Sequence, residues 1–209
     1  MRLSKNTLNH PILEQSFAII DREIGKHNLN PQEYAIARRV IHATADFEFL
    51  NLLKFSHGAI ASGIEAISGQ APIVTDVTMV KQGIQTLVSK TFNNPIVSAI
   101  ELAPTAIAGR TRTETGLLKC WQEYPQAIYI IGNAPTALLA LCEQLSNLQT
   151  VPPLIIGVPV GFVSVIESKR TLAELKVPQI LTTGRKGGSA VAASILNALV
   201  ILATETFKG

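Results

Sequence analysis

The sequence predicts a single domain of the α/β class, spanning residues 1–209, in which helices cover both faces of a mainly parallel sheet. Two features of the chain indicate this three-layer α/β/α arrangement. Beyond an N-terminal helical part, short apolar runs rich in β-branched residues recur, and each ends in a turn or a glycine. Helix-like segments follow several of these runs, and strands that alternate with helices form parallel sheets buried on both faces. With 47% hydrophobic and only 16% charged residues, the chain can bury the core that such a domain needs.

The N-terminal part is predicted to be helical. ILEQSFAIIDREIG carries apolar residues at helical spacing, and Gly25 can end that helix. In NPQEYAIARRVIH, Asn30 is a suitable N-cap, Pro31 stands at the first helical position, and Glu33 completes a capping box. A third helix is expected in LKFSHGAIASGIEAISG, where Gly69 can end it.

The strands and helices of the sheet follow in alternation. The predicted strands lie in APIVTDV, NPIVSAI, QAIYIIGNAP and PPLIIGVPVG, with a last one in VPQILTTGRKGGS. The predicted helices among them are TMVKQGIQTLV, TALLALCEQLS and ESKRTLAEL. The last apolar stretch, SAVAASILNALVILA from Ser189, is predicted to be a buried helix, since about 15 residues are too few to cross a bilayer comfortably.

Composition favours a cytoplasmic protein that binds a small anion. The net charge is +3 without a run of lysines or arginines, whereas a nucleic-acid binder usually has a denser basic stripe. The N-terminus lacks the apolar run of a signal peptide, so we expect neither export nor a membrane segment. Cys120 and Cys142 lack the spacing of a metal or redox motif, and the four histidines are scattered, so no metal site is expected.

Three strand-to-helix loops could bind a carboxylate or phosphate, because ligands of parallel sheets collect beyond the carboxyl ends of the strands. These loops lie in IIGNAPTALL, IIGVPVGFVSVIESK and TTGRKGGSAVAAS. A helix N-terminus has unpaired N–H groups and a partial positive charge, although glycines are also simply how tight turns are made. In GRKGGS the two adjacent cations favour anion binding. The residues that we expect to contribute are Asn133, Arg185, Lys186, Gly187, Gly188 and Ser189.

The stretch GRTRTETG adds Arg110 and Arg112 in what reads as a polar loop between elements. A pair of arginines like this is usually a solvated turn. Near two other basic loops, it could instead contribute to a site for a polyanion.

The stretch RRVIHATADF sets Arg38 and Arg39 four and three residues before His42, so both are its neighbours on a helix. Two cations should disfavour the charged imidazolium, whereas a bound polycarboxylate would favour it, and Asp46 could also do so if the helix continues that far. The occupied site would then hold a proton donor near neutral pH. The alternative is a solvent-facing helix whose histidine is satisfied by its neighbours.

Taken together, these stretches resemble the precorrin-8X methylmutase family and its cobalt-precorrin-8 counterpart. The matching motifs run nearly from end to end: RRVIHATAD, LKFSHGAI, APIVTDVTMV, GRTRTETG, IIGNAPTALL, LIIGVPVGFVSVIESK and GRKGGSAVAAS. The combination of GNAPTAL, GVPVGFV-ESK and GRKGGSA is highly specific. The chain departs from the family pattern at Ala45, where glycine is usual, and at Thr78, where a basic residue is usual.

The resemblance implies an isomerase of cobalamin biosynthesis that moves a methyl group from C11 to C12 of ring C, giving hydrogenobyrinate or its cobalt form. Such a sigmatropic shift requires no cofactor, metal or nucleophile of the protein. The family's catalytic histidine, a proton donor to the macrocycle, matches His42, and its substrate-binding serine matches Ser16. The partners implied are a tetrapyrrole with several carboxylates and a second copy of the chain in a homodimer. Whether the substrate is metal-free or holds cobalt stays open.

Two other functions stay open at this point. One is a tetrapyrrole carrier that binds the macrocycle without chemistry. The other is an unassigned enzyme of a phosphate-bearing ligand that uses GRKGGS. That stretch lacks the spacing of a phosphate-binding P-loop, and no strand is followed by a dinucleotide-binding fingerprint.

Overall fold

The computed structural model describes residues 11–146 and 150–207, which form the predicted three-layer α/β/α domain. The helices are α1 (Pro11–Ile24), α2 (Pro31–Thr44), α3 (Phe49–Leu52), α4 (Ala59–Ser68), α5 (Thr78–Lys90), α6 (Arg112–Glu123), α7 (Pro135–Ser146), α8 (Val165–Glu174) and α9 (Ser189–Phe207). The strands are β1 (Leu53–Phe55), β2 (Ile73–Thr75), β3 (Ile96–Ser98), β4 (Ile128–Ile131), β5 (Ile155–Gly157) and β6 (Gln179–Thr182), and a 3₁₀ turn, Ala99–Leu102, follows β3.

The described strands form one six-stranded sheet in the order β1-β6-β5-β4-β2-β3. The pairs from β6 to β3 are parallel, as the continuous apolar runs predicted. β4 shows how each strand is buried on both faces. Its Ile128 and Ile130 join the core of one face, whereas Tyr129 and Ile131 join the core of the other.

The two faces of the sheet are covered by different sets of helices. One core contains buried side chains of α2, α4, α5 and α9, and the other contains those of α6, α7 and α8. α9 has 19 residues, which is longer than predicted, and it packs along α2, α4 and α5. Among the described residues it is the one helix with the length and apolarity to cross a membrane, but about half of it is buried within the domain.

Local signals predicted α1 and α2 correctly. Asn30 accepts hydrogen bonds from the N–H groups of Gln32 and Glu33, both at 3.0 Å, and the Glu33 carboxylate accepts the Asn30 N–H at 3.0 Å. This is the predicted capping box, and a cap of this kind contributes about 1 kcal/mol. Gly25 ends α1 with a positive φ of 63°.

The prediction of helix was wrong for the start of LKFSHGAIASGIEAISG. Leu53–Phe55 is an edge strand that runs antiparallel to β6, with Leu53 opposite Thr182. Ser56 fixes the far end of this pairing, because its N–H donates to the Gln179 carbonyl and its Oγ accepts the Gln179 N–H. The partner strand, β6, lies far away in the sequence, so no local sequence pattern predicts the pairing.

The prediction of a loop was wrong for the second half of GRTRTETG. Arg112 is the first residue of α6, which has Thr111 as its N-cap. The Glu114 N–H donates to the Thr111 hydroxyl, and the Glu114 carboxylate accepts the Thr111 N–H, so this helix also begins with a capping box. The T-x-x-E spacing was the signal that could have revealed it.

The topology places the end of α2 at the carboxyl edge of the parallel strands. After α2 the chain leads through α3 to β1, whose first residue pairs with the last residue of β6. The Thr183 N–H donates to the Leu52 carbonyl at 2.9 Å, which closes this corner. The helix that carries His42 therefore ends beside the loop that leaves β6.

Candidate active site

His42 lies in the last turn of α2 with an exposed side chain. Its ring meets the ring of Phe17 from α1 edge-on, with centroids 5.5 Å apart. Within residues 11–146 and 150–207, no hydrogen bond or ion pair engages the imidazole. The exposed imidazole therefore keeps its hydrogen-bonding capacity for solvent or for a ligand.

Arg38 points its charge toward α1. Its guanidinium forms an ion pair with Asp21 at 2.9 Å and lies 4.4 Å from the centroid of the Phe17 ring. The Tyr34 hydroxyl donates to the same carboxylate at 2.6 Å. Burial, together with this hydrogen bond to Asp21, raises the pKa of Tyr34 to about 12. Arg38 thus joins the two helices and holds Phe17, the ring that touches His42.

Arg39 has no anionic partner in the described part of the chain. Its side chain is half-buried, and burial lowers the pKa of its guanidinium. No hydrogen bond or ion pair from Arg39 reaches another described residue. A cation that is partly desolvated and unpaired favours a carboxylate ligand. Of the two arginines predicted to flank His42, Arg39 is therefore the one whose charge is not paired within the described residues.

Asp46 lies beyond the end of α2, contrary to the possibility that the helix continues to it. The helix ends at Thr44 because Ala45 adopts the left-handed conformation, with φ of 52°. The Asp46 carboxylate accepts the Lys186 ammonium at 2.6 Å, and this hydrogen bond lowers the pKa of Asp46. Lys186 also pairs with Glu48 at 3.0 Å. These contacts tie the end of α2 to the loop Gly184–Ser189, the GRKGGS loop.

Glycines are required where the GRKGGS loop turns into α9. A Cβ on Gly187 would collide with the carbonyl oxygen of Val158, and Gly188 has φ of 119°. The Gly188 N–H donates to that same carbonyl at 2.8 Å. By contrast, the N–H groups of Ser189 and Ala190 donate to no described residue. The start of α9 therefore keeps free donors and the positive end of its dipole.

Lys169 lies beneath this loop and was not singled out from the sequence. Its side chain is only 3% exposed, and its ammonium donates to the carbonyls of Gly184 at 3.0 Å and Lys186 at 2.8 Å. Burial lowers the pKa of Lys169 to about 8. Its place in the motif GVPVGFV-ESK was the sole signal in the sequence.

Arg185 in the GRKGGS loop lies against the loop that follows β5. Its guanidinium is 5.5 Å from the centroid of the Phe162 ring. Phe162 and Val163 are 85% and 83% exposed, which is unusual for apolar side chains at adjacent positions. No described acidic residue pairs with Arg185. An exposed cation beside apolar groups suits a ligand that has both carboxylates and an apolar framework.

The loop Gly132–Pro135, the GNAP loop, already binds a carboxylate, that of Asp76. The N–H groups of Gly132, Asn133 and Ala134 donate to it at 3.1, 2.6 and 2.8 Å, and the Val77 N–H donates at 2.9 Å. Burial raises the pKa of Asp76, while the four N–H donors act in the opposite direction. The exposed side chain of Asn133 stays accessible, but the N–H groups of its loop do not.

Asp76 was missed from the sequence, although it follows a predicted strand directly. It lies at the point where the strand order reverses, since β2 pairs with β3 on one side and β4 on the other. In open parallel sheets, ligands bind beyond this point. Here the protein's own carboxylate, that of Asp76, occupies this point.

Arg110, Arg112 and Ser16 make contacts within the protein. Arg110 pairs with Glu114 at 2.7 Å, and Arg112 donates to the carbonyls of Ala103 at 2.9 Å and Ile100 at 3.3 Å. The Ser16 hydroxyl, one residue before Phe17, donates to the Ile12 carbonyl at 2.9 Å. Both arginines are exposed, and Thr111 contacts Thr136 of α7 through their hydroxyls at 3.0 Å. The start of α6 is thereby held next to the GNAP loop.

No metal centre is formed by the described residues, in which no three His, Cys, Asp or Glu side chains come together. A surface cleft of about 340 Å³ lies at the opposite, amino edge of the sheet, between Ser62, Glu65, Gln126 and Pro153. None of the predicted site residues lines it. The chemistry-bearing side chains collect instead at the carboxyl edge.

The sequence from residue 11 to residue 202 matches the family described as precorrin-8X methylmutase. The chain belongs to the precorrin-8X methylmutase family. It is 57% identical to the cobalt-precorrin-8 methylmutase of Synechocystis sp., with 94% of this chain and 97% of that relative covered. It is 39% identical to the precorrin-8X methylmutase of Pseudomonas aeruginosa, with 90% of this chain and 93% of that relative covered.

The fold agrees with this assignment. A crystal structure of precorrin-8X methylmutase from Thermus thermophilus superimposes with a TM-score of 0.87 at 42% identity, covering 94% of this chain and 99% of that one. Members of the precorrin-8X methylmutase family are isomerases of cobalamin biosynthesis, and the chain is an enzyme of this kind.

The two departures from the precorrin-8X methylmutase pattern lie at element ends. Ala45 is the residue with positive φ that ends α2, where glycine would carry no Cβ strain. Thr78 is the first residue of α5 and is exposed at the carboxyl edge, two residues after Asp76.

Proposed function

We propose that this methylmutase moves the methyl group from C11 to C12 of a precorrin-8 macrocycle with His42 as the proton donor. The observation that carries the proposal is the exposed imidazole of His42, unpaired within the described residues. It lies on the same helix as the unpaired Arg39 and beside the GRKGGS loop, to which Asp46 connects it. A proton donor is thus surrounded by groups that bind carboxylates.

In this mechanism His42 protonates the conjugated macrocycle, which draws electron density from the migrating terminus. The carbon–methyl bond at C11 breaks as the bond at C12 forms. The product is an isomer of the substrate, so the proton that His42 donates is returned or replaced from solvent, and no net redox change occurs. Positioned proton transfer of this kind is commonly worth a factor of about 10² to 10⁴ in rate.

The carboxylates of the substrate are proposed to bind at Arg39, at Arg185 and at the start of α9. These groups keep their charge or their N–H donors free within the described chain. Arg38 and Lys186 already pair with acidic side chains, so they are proposed to act beside the substrate rather than as its main ion-pair partners. The remaining proposed contacts are Ser16, Arg110, Arg112, Asn133, Gly187, Gly188 and Ser189.

We propose the cobalt-containing macrocycle as the natural substrate, with cobyrinate as the product. The support is the identity of 57% to a cobalt-precorrin-8 methylmutase, against 39% and 42% to two precorrin-8X methylmutases. The metal belongs to the substrate in this proposal. The metal-free alternative gives hydrogenobyrinate by the same step.

Turnover of both substrate forms under anaerobic conditions tests this proposal. We expect the absorption spectrum of cobalt-precorrin-8 to change to that of the product, with a higher kcat/KM than for precorrin-8X. Tight binding of either form without a spectral change would support a tetrapyrrole carrier instead. Preferential binding of nucleotides would support an enzyme of a phosphate-bearing ligand.

We also propose a cytoplasmic homodimer. Phe162, Val163 and Val160 give the loop after β5 an apolar surface that a second copy could cover, with exposures of 85%, 83% and 45%. Sedimentation equilibrium should give twice the chain mass. Phe162→Ser should shift the equilibrium toward the single chain, whereas Met79→Ser, at another exposed apolar position, should leave the mass unchanged.

A further inference from the structure

A buried lysine supports the GRKGGS loop from inside the domain. The ammonium of Lys169 on α8 donates to two carbonyls of the loop, those of Gly184 and Lys186. No ion pair joins Lys169 to an acidic side chain in the described ranges. The structure therefore keeps a desolvated cation whose described hydrogen bonds go only to this loop.

The carbonyl of Lys186 is held by a second donor. The Thr182 hydroxyl, fully buried at the end of β6, donates to it at 2.9 Å. The side chain of Lys186 is meanwhile held by Asp46 and Glu48. Arg185 lies between the two residues that Lys169 holds, so the direction of its backbone is fixed from both sides.

We propose that Lys169 is a positioning residue for substrate binding, which holds the GRKGGS loop so that Arg185 and the start of α9 face the substrate carboxylates. This inference rests on the proposed role of that loop in substrate binding. Lys169 does not touch the substrate and takes no part in the proton transfer.

The lysine has a cost and a function at this position. Burial disfavours its charged ammonium, but an apolar side chain of similar length would remove the donors to the Gly184 and Lys186 carbonyls and release the loop. At neutral pH the amine is still mainly protonated, since its pKa is lowered only to about 8. The charge thus lies directly under a loop that is proposed to bind anions, where it adds to their attraction.

The test is Lys169→Met, which keeps most of the length of the unbranched side chain and removes the charge and the donors. We expect KM to rise about tenfold or more while kcat stays within about threefold, because His42 is untouched. Hydrogen exchange of the amides at 184–190 should accelerate. Lys169→Arg, which keeps donors and charge, should recover part of the affinity. A folded Lys169→Met protein with KM and loop exchange within about twofold of the parent would overturn the inference.

Lys176→Met is the matched control, because Lys176 is an exposed lysine just beyond α8 with no hydrogen bond to a described residue. Its KM should stay within about twofold, which separates the position of Lys169 from a general loss of positive charge. If Lys169→Met does not fold, Thr182→Val removes the other donor to the Lys186 carbonyl. It should raise KM about two- to fivefold, and an unchanged KM there would also overturn the inference.

Arg185→Ala distinguishes this inference from the proposed function. If Arg185→Ala raises KM but Lys169→Met does not, the loop binds substrate and Lys169 has no positioning role. If Arg185→Ala leaves KM unchanged, the loop is not part of the site, and the proposal for Lys169 fails with it.

Discussion

The GNAP loop after β4 and the GRKGGS loop after β6 both lead from a parallel strand into a helix at the same edge of the sheet. The difference between them lies in the buried group underneath. Asp76 accepts the N–H groups at the start of α7, whereas Lys169 donates to carbonyls before the start of α9. An internal carboxylate closes the first helix N-terminus, and an internal cation leaves the second one open.

This difference shows that glycine-rich strand-to-helix loops are not equivalent as anion-binding sites. The N–H donors of such a loop are available to a ligand only if no side chain of the protein reaches them. In the GNAP loop, the residue that reaches them is Asp76, far from the loop in sequence. The GRKGGS loop has its own lysine turned toward Asp46, so its available charge is that of Arg185.

The largest expected effect is that of His42→Gln, which tests whether the proton transfer takes place beside the GRKGGS loop. The variant should bind the substrate nearly as well as the parent and convert it about 10² to 10⁴ times more slowly, because general acid catalysis is lost. Stopped-flow absorbance and equilibrium binding measure the two quantities separately. Near-normal turnover in a well-folded His42→Gln protein would remove His42 from the mechanism.

Asp76→Asn weakens the contacts between residue 76 and the N–H groups of the GNAP loop. An amide keeps one acceptor oxygen and brings an NH₂ group against backbone N–H donors, so the free energy of unfolding should fall by roughly 2–4 kcal/mol. Urea denaturation measures this. The matched control is Asp46→Asn at the open loop, where both partners are partly exposed at 26% and 45%. That change should cost about 1 kcal/mol or less. Equal losses in the two variants would contradict the comparison.

The titration of Lys169 should make the difference in the free energy of unfolding between the parent and Lys169→Met depend on pH. Its pKa is about 8 in the folded protein and near the ordinary 10.5 when unfolded, so the unfolded chain binds more protons between these values. Its contribution to the free energy of unfolding should therefore increase as pH rises through that window, by roughly 1–3 kcal/mol. Urea unfolding of the parent and Lys169→Met at pH 7.5, 9 and 10 measures the difference. A gap between the two proteins that stays constant would argue against a buried, titrating amine.

Arg185→Ala and Asn133→Ala compare the two loops in substrate binding. Arg185→Ala should raise KM about tenfold, the loss of one charge-assisted contact of about 1.4 kcal/mol, and added salt should reduce the difference. Asn133→Ala should raise KM by less, about two- to fivefold, because Asp76 occupies the N–H groups of its loop and leaves only the neutral Asn133 side chain to contact the substrate. The opposite order of effects would place the carboxylate site at the GNAP loop.

The smallest effect is that of Ala45→Gly at the end of α2. A residue with a Cβ is strained at φ of 52°, so glycine should stabilise the protein by roughly 0.5–1 kcal/mol. Ala43→Gly, at an exposed position inside the same helix, should destabilise it by about as much. Thermal unfolding of both variants measures the two signs. Two changes of the same sign would mean that Ala45 is not strained.

The sequence by itself determined what depends on near neighbours. The capping box of Asn30 and Glu33, the end of α1 at Gly25 and the apolar runs of β2 and β4 each use residues a few positions apart. These signals were enough for the α/β/α class. The motif resemblance, matched by residues 11–202, was enough for the family.

Only the tertiary structure decided which polar groups are already engaged. Leu53 pairs with Thr182 in the sheet. Asp76 accepts hydrogen bonds from the GNAP loop, and Lys169 donates hydrogen bonds to the GRKGGS loop. Arg38 was predicted beside His42 by helical spacing, yet its charge pairs with Asp21 on another helix. The physical reason is that charges and hydrogen-bond donors interact through space, and local periodicity sets only the face from which a side chain starts.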